Sequence, residues 1–101
     1  MEKYELMFIV SSNVTEEGLH EVEQKVSSYF NEVINLDKWG MKDFEYPIKK
    51  ELRGYYYILV GKIDNKNNKE LKHYFQFSKE VLRHLLINVN KEINHPLKEA
   101  K

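Results

Sequence analysis

The chain has 101 residues, of which 42% are hydrophobic and 13% aromatic, and this size and composition predict one folded domain. Its formal net charge is zero, which argues against strong nucleic-acid binding by the chain alone. Cysteine is absent, so disulfides, thiolate zinc sites and cysteine nucleophiles are excluded. The apolar run at residues 6–10 is too short for a signal peptide or a membrane span, and we therefore expect a cytoplasmic protein.

The first predicted elements are a strand over residues 4–10 and a helix that follows it. Alternation along the strand gives one apolar face, made of Tyr4, Leu6, Phe8 and Val10. The opposite face carries Glu5, Met7 and Ile9. Thr15 can accept a hydrogen bond from the first amides of a helix, and apolar residues recur at helical spacing after it. These signals predict a helix from Glu16 to about Asn31.

A long second strand is predicted over residues 32–50 and a third over residues 55–63, with a turn at residues 51–54 between them. Gly40 indicates a bulge in the second strand. Pro47 cannot donate a ladder hydrogen bond, which favours a position for this strand at the edge of its sheet. The third strand is rich in β-branched and aromatic residues, as is typical of strands.

The last elements are a second helix and a fourth strand. A polar loop at residues 64–68 leads into the helix, whose predicted buried side consists of Leu71, Tyr74, Phe75 and Ser78. The fourth strand is predicted over residues 81–89. We expect residues 1–90 to form the single domain and residues 91–101, which are polar and contain Pro96, to form a loose tail.

This order of elements predicts an α+β fold, the ferredoxin-like βαββαβ sandwich. The expected four-stranded sheet is antiparallel with strand order 2-3-1-4, and both helices lie on one face of it. Strands two and four are then the edges, which agrees with the proline in strand two.

The face of the sheet without helices is predicted to be strongly apolar. Alternation places nine residues there: Glu5, Met7, Ile9, Tyr56, Ile58, Val60, Arg83, Leu85 and Ile87. An apolar patch of this kind usually marks an interface. Trp39, beside the bulge, is either an interface anchor or a packing residue of the bulge.

The basic residues allow more than one interpretation. Lys49, Lys50 and Arg53 either bind phosphates or form a solvated hairpin tip. Arg83 stands in an apolar strand and needs a partner, because an unpaired guanidinium is costly to desolvate. That partner is either Glu5 on the neighbouring strand or a group outside the chain.

Several segments together resemble the family of bacterial small-ribosomal-subunit protein six. The similar segments are Tyr4-Glu5-Leu6-Met7-Phe8-Ile9-Val10, Trp39-Gly40-Met41-Lys42, Tyr46-Pro47-Ile48-Lys49, Gly54-Tyr55 and residues 80–87. The resemblance covers roughly residues 3 to 90 in the family's order. It departs at Phe44 and Glu45, where the family pattern usually has Leu and then a small residue.

The resemblance implies an assembly role without catalysis. Members of the family pair with small-subunit protein eighteen and bind the central domain of small-subunit ribosomal RNA. The RNA-contact candidates that it suggests are Lys3, Lys49, Lys50, Arg53, Arg83 and Lys91. The protein-contact candidates are Glu5, Met7, Ile9, Trp39, Tyr56, Ile58, Val60, Leu85 and Ile87.

No residue pattern predicts an enzyme, a metal site or a cofactor. The four histidines fall on different elements, no pair of carboxylates stands out, and no glycine-rich phosphate loop is present. The run at residues 55–57 is similar to the aromatic platform of RNA-recognition motifs, but alternation puts only Tyr56 on the helix-free face. Two alternatives stay open: a dimeric ferredoxin-like small-molecule sensor or enzyme that uses this face as its own dimer interface, and a stand-alone single-stranded RNA binder.

Overall fold

A computed structural model of the chain describes residues 1–89, which form strands and helices in βαββαβ order. Their bounds are β1 (Glu2–Ser11), α1 (Glu16–Ser28), β2 (Glu32–Ile48), β3 (Glu51–Ile63), α2 (Asn65–Phe77) and β4 (Val81–Asn88). The predicted tail at residues 91–101, with the RNA-contact candidate Lys91, lies outside the described residues.

The strands form one antiparallel sheet in the order β2-β3-β1-β4, and this confirms the predicted topology. The central strand β1 pairs with β3 along its whole length and with β4 on its other side. Strands β2 and β4 are therefore the edges, as Pro47 indicated for β2. The prediction of an α+β ferredoxin-like sandwich is confirmed.

The core lies between the sheet and the two helices, and alternation along the strands decides which side chains enter it. Leu6, Phe8 and Val10 of β1 are fully buried there, as predicted. The ring of Phe8 stacks on that of Tyr57 from β3, with centroids 4.8 Å apart. The helices contribute mainly Val22, Val26, Leu71 and Phe75.

The predicted end of the first helix is wrong. Helix α1 ends at Ser28 instead of Asn31, because the backbone N–H of Tyr29 donates to the carbonyl of Val26 at 3.2 Å and closes the last turn. Tyr29 and Phe30, which extended the apolar periodicity, pack against the core from the connection to β2 instead.

The predicted turn between β2 and β3 is also displaced. The turn consists of Lys49 and Lys50, and residues 51–54 already belong to β3. The sequence signal failed here because two-residue turns of this kind favour Asn and Gly, and two lysines give no such signal.

The edge strand β2 is long and irregular. Its pairing with β3 shifts register between Lys38 and Gly40, and Gly40 adopts a φ of 81°, which confirms the predicted bulge. A second irregularity separates Asp43 from Ile48, in the stretch that contains Pro47. This second irregularity lets the end of β2 leave the regular ladder and approach the helix-free face.

Candidate protein and RNA interface

The helix-free face of the sheet carries two rows of side chains in direct register across β3, β1 and β4. The first row consists of Ile58, Met7 and Leu85. The second row consists of Val60, Glu5 and Ile87. The name open-face patch is used below for the five apolar members of these rows: Met7, Ile58, Val60, Leu85 and Ile87.

The open-face patch is accessible within the chain. Leu85 is 46% exposed, and the other four residues are half-buried. Helices α1 and α2 do not cover the patch, because their buried side chains meet the opposite face of the sheet. Five neighbouring apolar side chains in water are unfavourable, and such patches usually mark contact surfaces.

Carboxylates border the open-face patch. Glu5 lies within its second row, and Asp37 of β2 lies opposite Ile58 at the edge of its first row. The side chain of Asp37 is exposed. Lys3 and Lys62 form the next row beyond Glu5, so cations lie on that side of the patch. An apolar surface with acidic neighbours is complementary to a partner that presents apolar side chains together with lysine or arginine.

The expectation that the whole helix-free face is open is wrong at one end. Ile9 is only 2% exposed, although it lies opposite Tyr56 on this face. The end of β2 folds toward it, and the ring of Phe44 lies 6.0 Å from that of Tyr56. A Cβ atom at Gly54 would lie 2.9 Å from Ile9 Cγ2 and 3.0 Å from Phe44 Cζ, so glycine permits this packing. Ile9 is therefore not an accessible contact residue, and Tyr56 is only half accessible.

Of the two alternatives left open for Arg83, pairing with Glu5 is wrong. Arg83 lies opposite Ile9, four residues along β4 from the position opposite Glu5. Its side chain lines a shallow cavity with Tyr56 and residues 43–48. Among residues 1–89, no carboxylate lies within ion-pair distance of its guanidinium. The Arg83 side chain is exposed, so solvent hydrates its guanidinium and the structure does not require the partner that the sequence led us to expect.

Trp39 lies inside the bulge of β2, between Lys38 and Gly40. It is 39% exposed, so the indole is neither a core residue nor fully solvated. Both interpretations of Trp39 remain predictions, because a bulge-packing residue and an interface anchor can share this degree of exposure.

The hairpin between β2 and β3 carries two exposed lysines and one arginine that forms an ion pair. Lys49 and Lys50 form its tip, and both are exposed. Arg53, in contrast, forms an ion pair in which its Nε lies 3.3 Å from Oδ1 of Asp43. The carboxylate of Asp43 therefore neutralises part of the positive charge of Arg53 within the chain itself. Lys49 and Lys50 are the stronger candidates for phosphate contacts.

Lys3 lies at the opposite end of β1 from the hairpin. It pairs with Lys62 near the first residues of β1, whereas the hairpin lies beside Ser11 at the other end of that strand. The exposed Lys3 side chain would therefore meet a different part of any bound RNA.

A buried carboxylate was missed by the sequence analysis. Glu23 of α1 accepts a hydrogen bond of 2.5 Å from the hydroxyl of Tyr57, and its Oε1 lies 3.1 Å from Nζ of Lys38 and 3.5 Å from Nδ1 of His20. The sequence held one signal for it, since Glu23 follows Leu19 by four residues and so shares the inner side of the helix.

The described residues contain no group of histidines and carboxylates arranged to hold a metal ion. Over residues 1–89, neither helix has the length and apolar character needed to cross a membrane.

Comparison with known proteins places these features in one family. The family described as "Ribosomal protein S6" matches residues 3–88. The small ribosomal subunit protein bS6 of Clostridium acetobutylicum is 35% identical over 95 residues, which cover 90% of this chain and all of that protein. The bS6 protein of Borrelia turicatae is 34% identical over 97 residues, which cover 93% of this chain and 73% of that protein.

A solved structure supports the same assignment. The crystal structure of 30S ribosomal protein S6 from Thermotoga maritima superposes with a TM-score of 0.81 at 25% sequence identity. The match covers 99% of this chain and 98% of that one. The chain therefore belongs to the ribosomal protein S6 family, the structural, non-enzymatic proteins of the small ribosomal subunit that serve translation in the cytoplasm.

Proposed function

We propose that this chain pairs through the open-face patch with small-subunit protein eighteen, and that the pair binds the central domain of small-subunit ribosomal RNA. The observation that carries the proposal is the solvent-accessible apolar row of Ile58, Met7 and Leu85 on a sheet face that neither α1 nor α2 covers. We further propose that residues 1–90 act as one binding domain.

The chemistry of the patch favours a protein partner over RNA. Its five side chains are aliphatic or thioether groups, which cannot hydrogen-bond to bases or pair with phosphates. Among the described residues of β1, β3 and β4, only Tyr56 offers an aromatic ring on this face, and Phe44 of β2 already packs against it. A stacking platform for bases would need several accessible rings. The stand-alone RNA binder is therefore the weaker of the candidate functions.

The two carboxylates beside the apolar rows favour cations on the partner at those positions, whereas Lys3 and Lys62 form the row beyond Glu5. Glu5 and Asp37 would be adjacent to its cations, and opposite charges at the rim of an interface increase the association rate and the specificity. A basic partner would also supply positive charge for RNA that this neutral chain lacks.

The RNA contact of the chain itself is proposed at the hairpin. Lys49 and Lys50 project from its tip, and Arg83 lies behind them in the cavity lined by residues 43–48. These side chains lie beyond the covered end of the helix-free face, so the same chain can contact RNA and a protein at once.

The test replaces two residues in the centre of the patch. The double variant Ile58→Glu and Leu85→Glu places two carboxylates beside Met7, where they would have to be desolvated on pairing. We expect its affinity for purified small-subunit protein eighteen to fall by at least about 100-fold, since each buried charge costs several kcal/mol. Isothermal titration calorimetry measures the affinity, and circular dichroism confirms the fold.

A matched control carries its charge on the other side of the molecule. Phe77→Glu, at the end of α2, introduces a carboxylate at a side chain that is 68% exposed and remote from the sheet face. Its affinity for the partner should equal that of the native chain. Unchanged pairing by a folded Ile58/Leu85 double variant would reject the open-face patch as the interface, and a stable dimer of the native chain in sedimentation analysis would favour self-association instead.

A further inference from the structure

The covered end of the helix-free face holds a third row of side chains, next to the open-face patch. Tyr56, Ile9 and Arg83 lie side by side in this row, on β3, β1 and β4. Ile9 is buried in the middle of the row. Because neighbouring strands lie about 4.8 Å apart, the backbone positions of the tyrosine and the arginine are roughly 10 Å apart, on either side of Ile9.

The end of β2 closes this row into a cavity of about 540 Å³. Residues 43–48 form part of its wall, and Tyr56 and Arg83 complete the lining. The volume falls within the range of small-molecule sites in proteins, which is about 300–1,000 Å³. The name edge cavity is used below for this space.

The aromatic rings of the edge cavity differ in their surroundings. The ring of Phe44 packs against that of Tyr56, with centroids 6.0 Å apart. Tyr46 is 78% exposed, and within residues 1–89 no other aromatic ring packs against it. An accessible ring beside a cavity is the kind of surface on which an unpaired base stacks.

The charged groups of the edge cavity are balanced. Oδ1 of Asp43 lies 3.3 Å from Nε of Arg53, so this carboxylate is already paired. Glu45 and Arg83 also line the cavity, and in the described part of the chain neither belongs to an ion pair. A charged ligand would meet one like charge here, whereas a neutral ligand with donors and acceptors can hydrogen-bond to both side chains.

We propose that the edge cavity binds one unpaired base of the RNA, which stacks on Tyr46 and hydrogen-bonds along its edge to Arg83 and Glu45. A base is flat and uncharged, and it carries both donors and acceptors. Lys49 and Lys50 directly follow the last residue of the cavity wall, so the hairpin tip can hold the phosphates next to this base. The proposal rests on the RNA binding proposed above and deepens it from backbone contact to base contact.

A side chain of the protein partner is the competing occupant, because Arg83 lies two residues from Leu85 of the open-face patch. An acidic side chain that paired with Arg83 would face Glu45, and a basic one that paired with Glu45 would face Arg83. Like charges in contact oppose binding. The balance of charges therefore favours a base.

The first test removes the stacking ring. In the complex of the chain with small-subunit protein eighteen, Tyr46→Ala should weaken binding to a central-domain RNA fragment about 10-fold, the loss expected for one stacked base. The slope of log K against log salt should stay unchanged, because no cation is removed. Phe77→Ala is the matched control, since Phe77 is 68% exposed at the end of α2 and does not line the cavity. Its RNA affinity should equal that of the native chain.

The second test removes the base. Each unpaired nucleotide of the fragment is replaced in turn by an abasic nucleotide, which keeps the phosphate. One such replacement should weaken binding by the native pair about 10-fold and have no further effect on Tyr46→Ala, because both changes remove the same contact. Arg83→Lys should reduce the preference among the four bases at that nucleotide, because lysine keeps the charge but lacks the planar fork.

The outcomes separate this proposal from the function on which it rests. If the native pair binds RNA while Tyr46→Ala binds equally well, or every abasic replacement affects native chain and variant alike, the edge cavity is rejected as a base site and the proposed function stands. If Tyr46→Ala weakens pairing with protein eighteen but not RNA binding by the preformed pair, the occupant is a partner side chain and the proposal is overturned. If the native pair fails to bind the RNA fragment at all, both are rejected.

Discussion

Glu23 illustrates at the scale of a single residue how a charge is accommodated inside this fold. Burial raises the pKa of Glu23, but the hydrogen bonds from Tyr57 and Lys38 and the charges of Lys38 and His20 lower it by more, so the net shift is downward. The same burial and the Glu23 carboxylate raise the pKa of Tyr57, which keeps its hydroxyl protonated as a donor. One side chain thus connects α1, β2 and β3.

Replacement of Glu23 by Gln should destabilise the domain by about 1–2 kcal/mol near pH 7, because charge-assisted hydrogen bonds become neutral ones. The pKa of Glu23 is lower in the folded chain than in the unfolded chain, so its contribution is complete above the ordinary carboxyl pKa and is lost as the pH falls through the folded value. The difference between native chain and variant should therefore shrink between about pH 5 and 3. Urea unfolding at a series of pH values measures it.

A control for this prediction is Glu21→Gln, at an exposed position of the same helix. Its effect on the free energy of unfolding should stay within about 0.5 kcal/mol at every pH. A difference between native chain and Glu23→Gln that is as large at pH 3 as at pH 7 would contradict the role assigned to the carboxylate.

At the scale of an element, the hairpin between β2 and β3 turns through two residues in a strained backbone conformation. Lys49 and Lys50 adopt φ values of 49° and 68°, in the left-handed region that side chains with a Cβ atom avoid. Each residue costs about 1 kcal/mol or more in this conformation relative to Gly. Strained residues persist where function requires them, and two lysines at the tip fit the RNA contact proposed for this hairpin.

The variant Lys49→Asn with Lys50→Gly gives the turn the residues it favours. We expect it to raise the free energy of unfolding by about 1 kcal/mol, because Asn and Gly accept left-handed φ values at lower cost. The same variant should weaken RNA binding, since it removes two cations. Chemical denaturation and RNA titration of the same samples measure both effects.

Lys49→Gln with Lys50→Gln separates the two effects. It removes both charges but keeps the strained conformation, so it should weaken RNA binding to the same extent without the gain in stability. Equal stability of the Asn-Gly variant and the native chain would show that the lysine turn carries no strain.

At the scale of the whole molecule, the zero net charge conceals an uneven distribution. Helix α1 carries four glutamates and one lysine, whereas α2 carries three lysines and one glutamate. The hairpin adds two exposed lysines at its tip. A neutral chain can therefore present cations to RNA at the hairpin and α2, while the glutamates of α1 repel it.

This distribution predicts how RNA affinity responds to salt and to the partner. Lys49→Ala with Lys50→Ala should reduce the slope of log K against log salt by about 2 for the paired proteins, whereas Arg53→Ala should reduce it by less, because Asp43 already neutralises part of that charge. Filter binding or fluorescence anisotropy over a salt series measures the slopes. An unchanged slope in the lysine variant would remove the hairpin tip from the RNA contact.

The sequence alone determined the fold and the family. Local signals indicated the elements: the period-two patterns of β1 and β3 and the Thr15 cap of α1, and the structure contains all of them. The strand patterns predict the fold because burial of one face of the sheet in the core requires the same alternation. The apolar character of the helix-free face was also predictable from alternation, since successive side chains of a strand point to opposite faces of the sheet.

Only the tertiary structure decided which parts of that face are accessible and which charged residues form pairs. Register places Arg83 beside Ile9 and not beside Glu5, and the irregular end of β2 brings Phe44 over the sheet, which no periodicity encodes. The ion pair between Glu23 and Lys38 likewise joins residues of two separate elements. Such contacts depend on how elements pack against one another, whereas alternation reports only how each element is built.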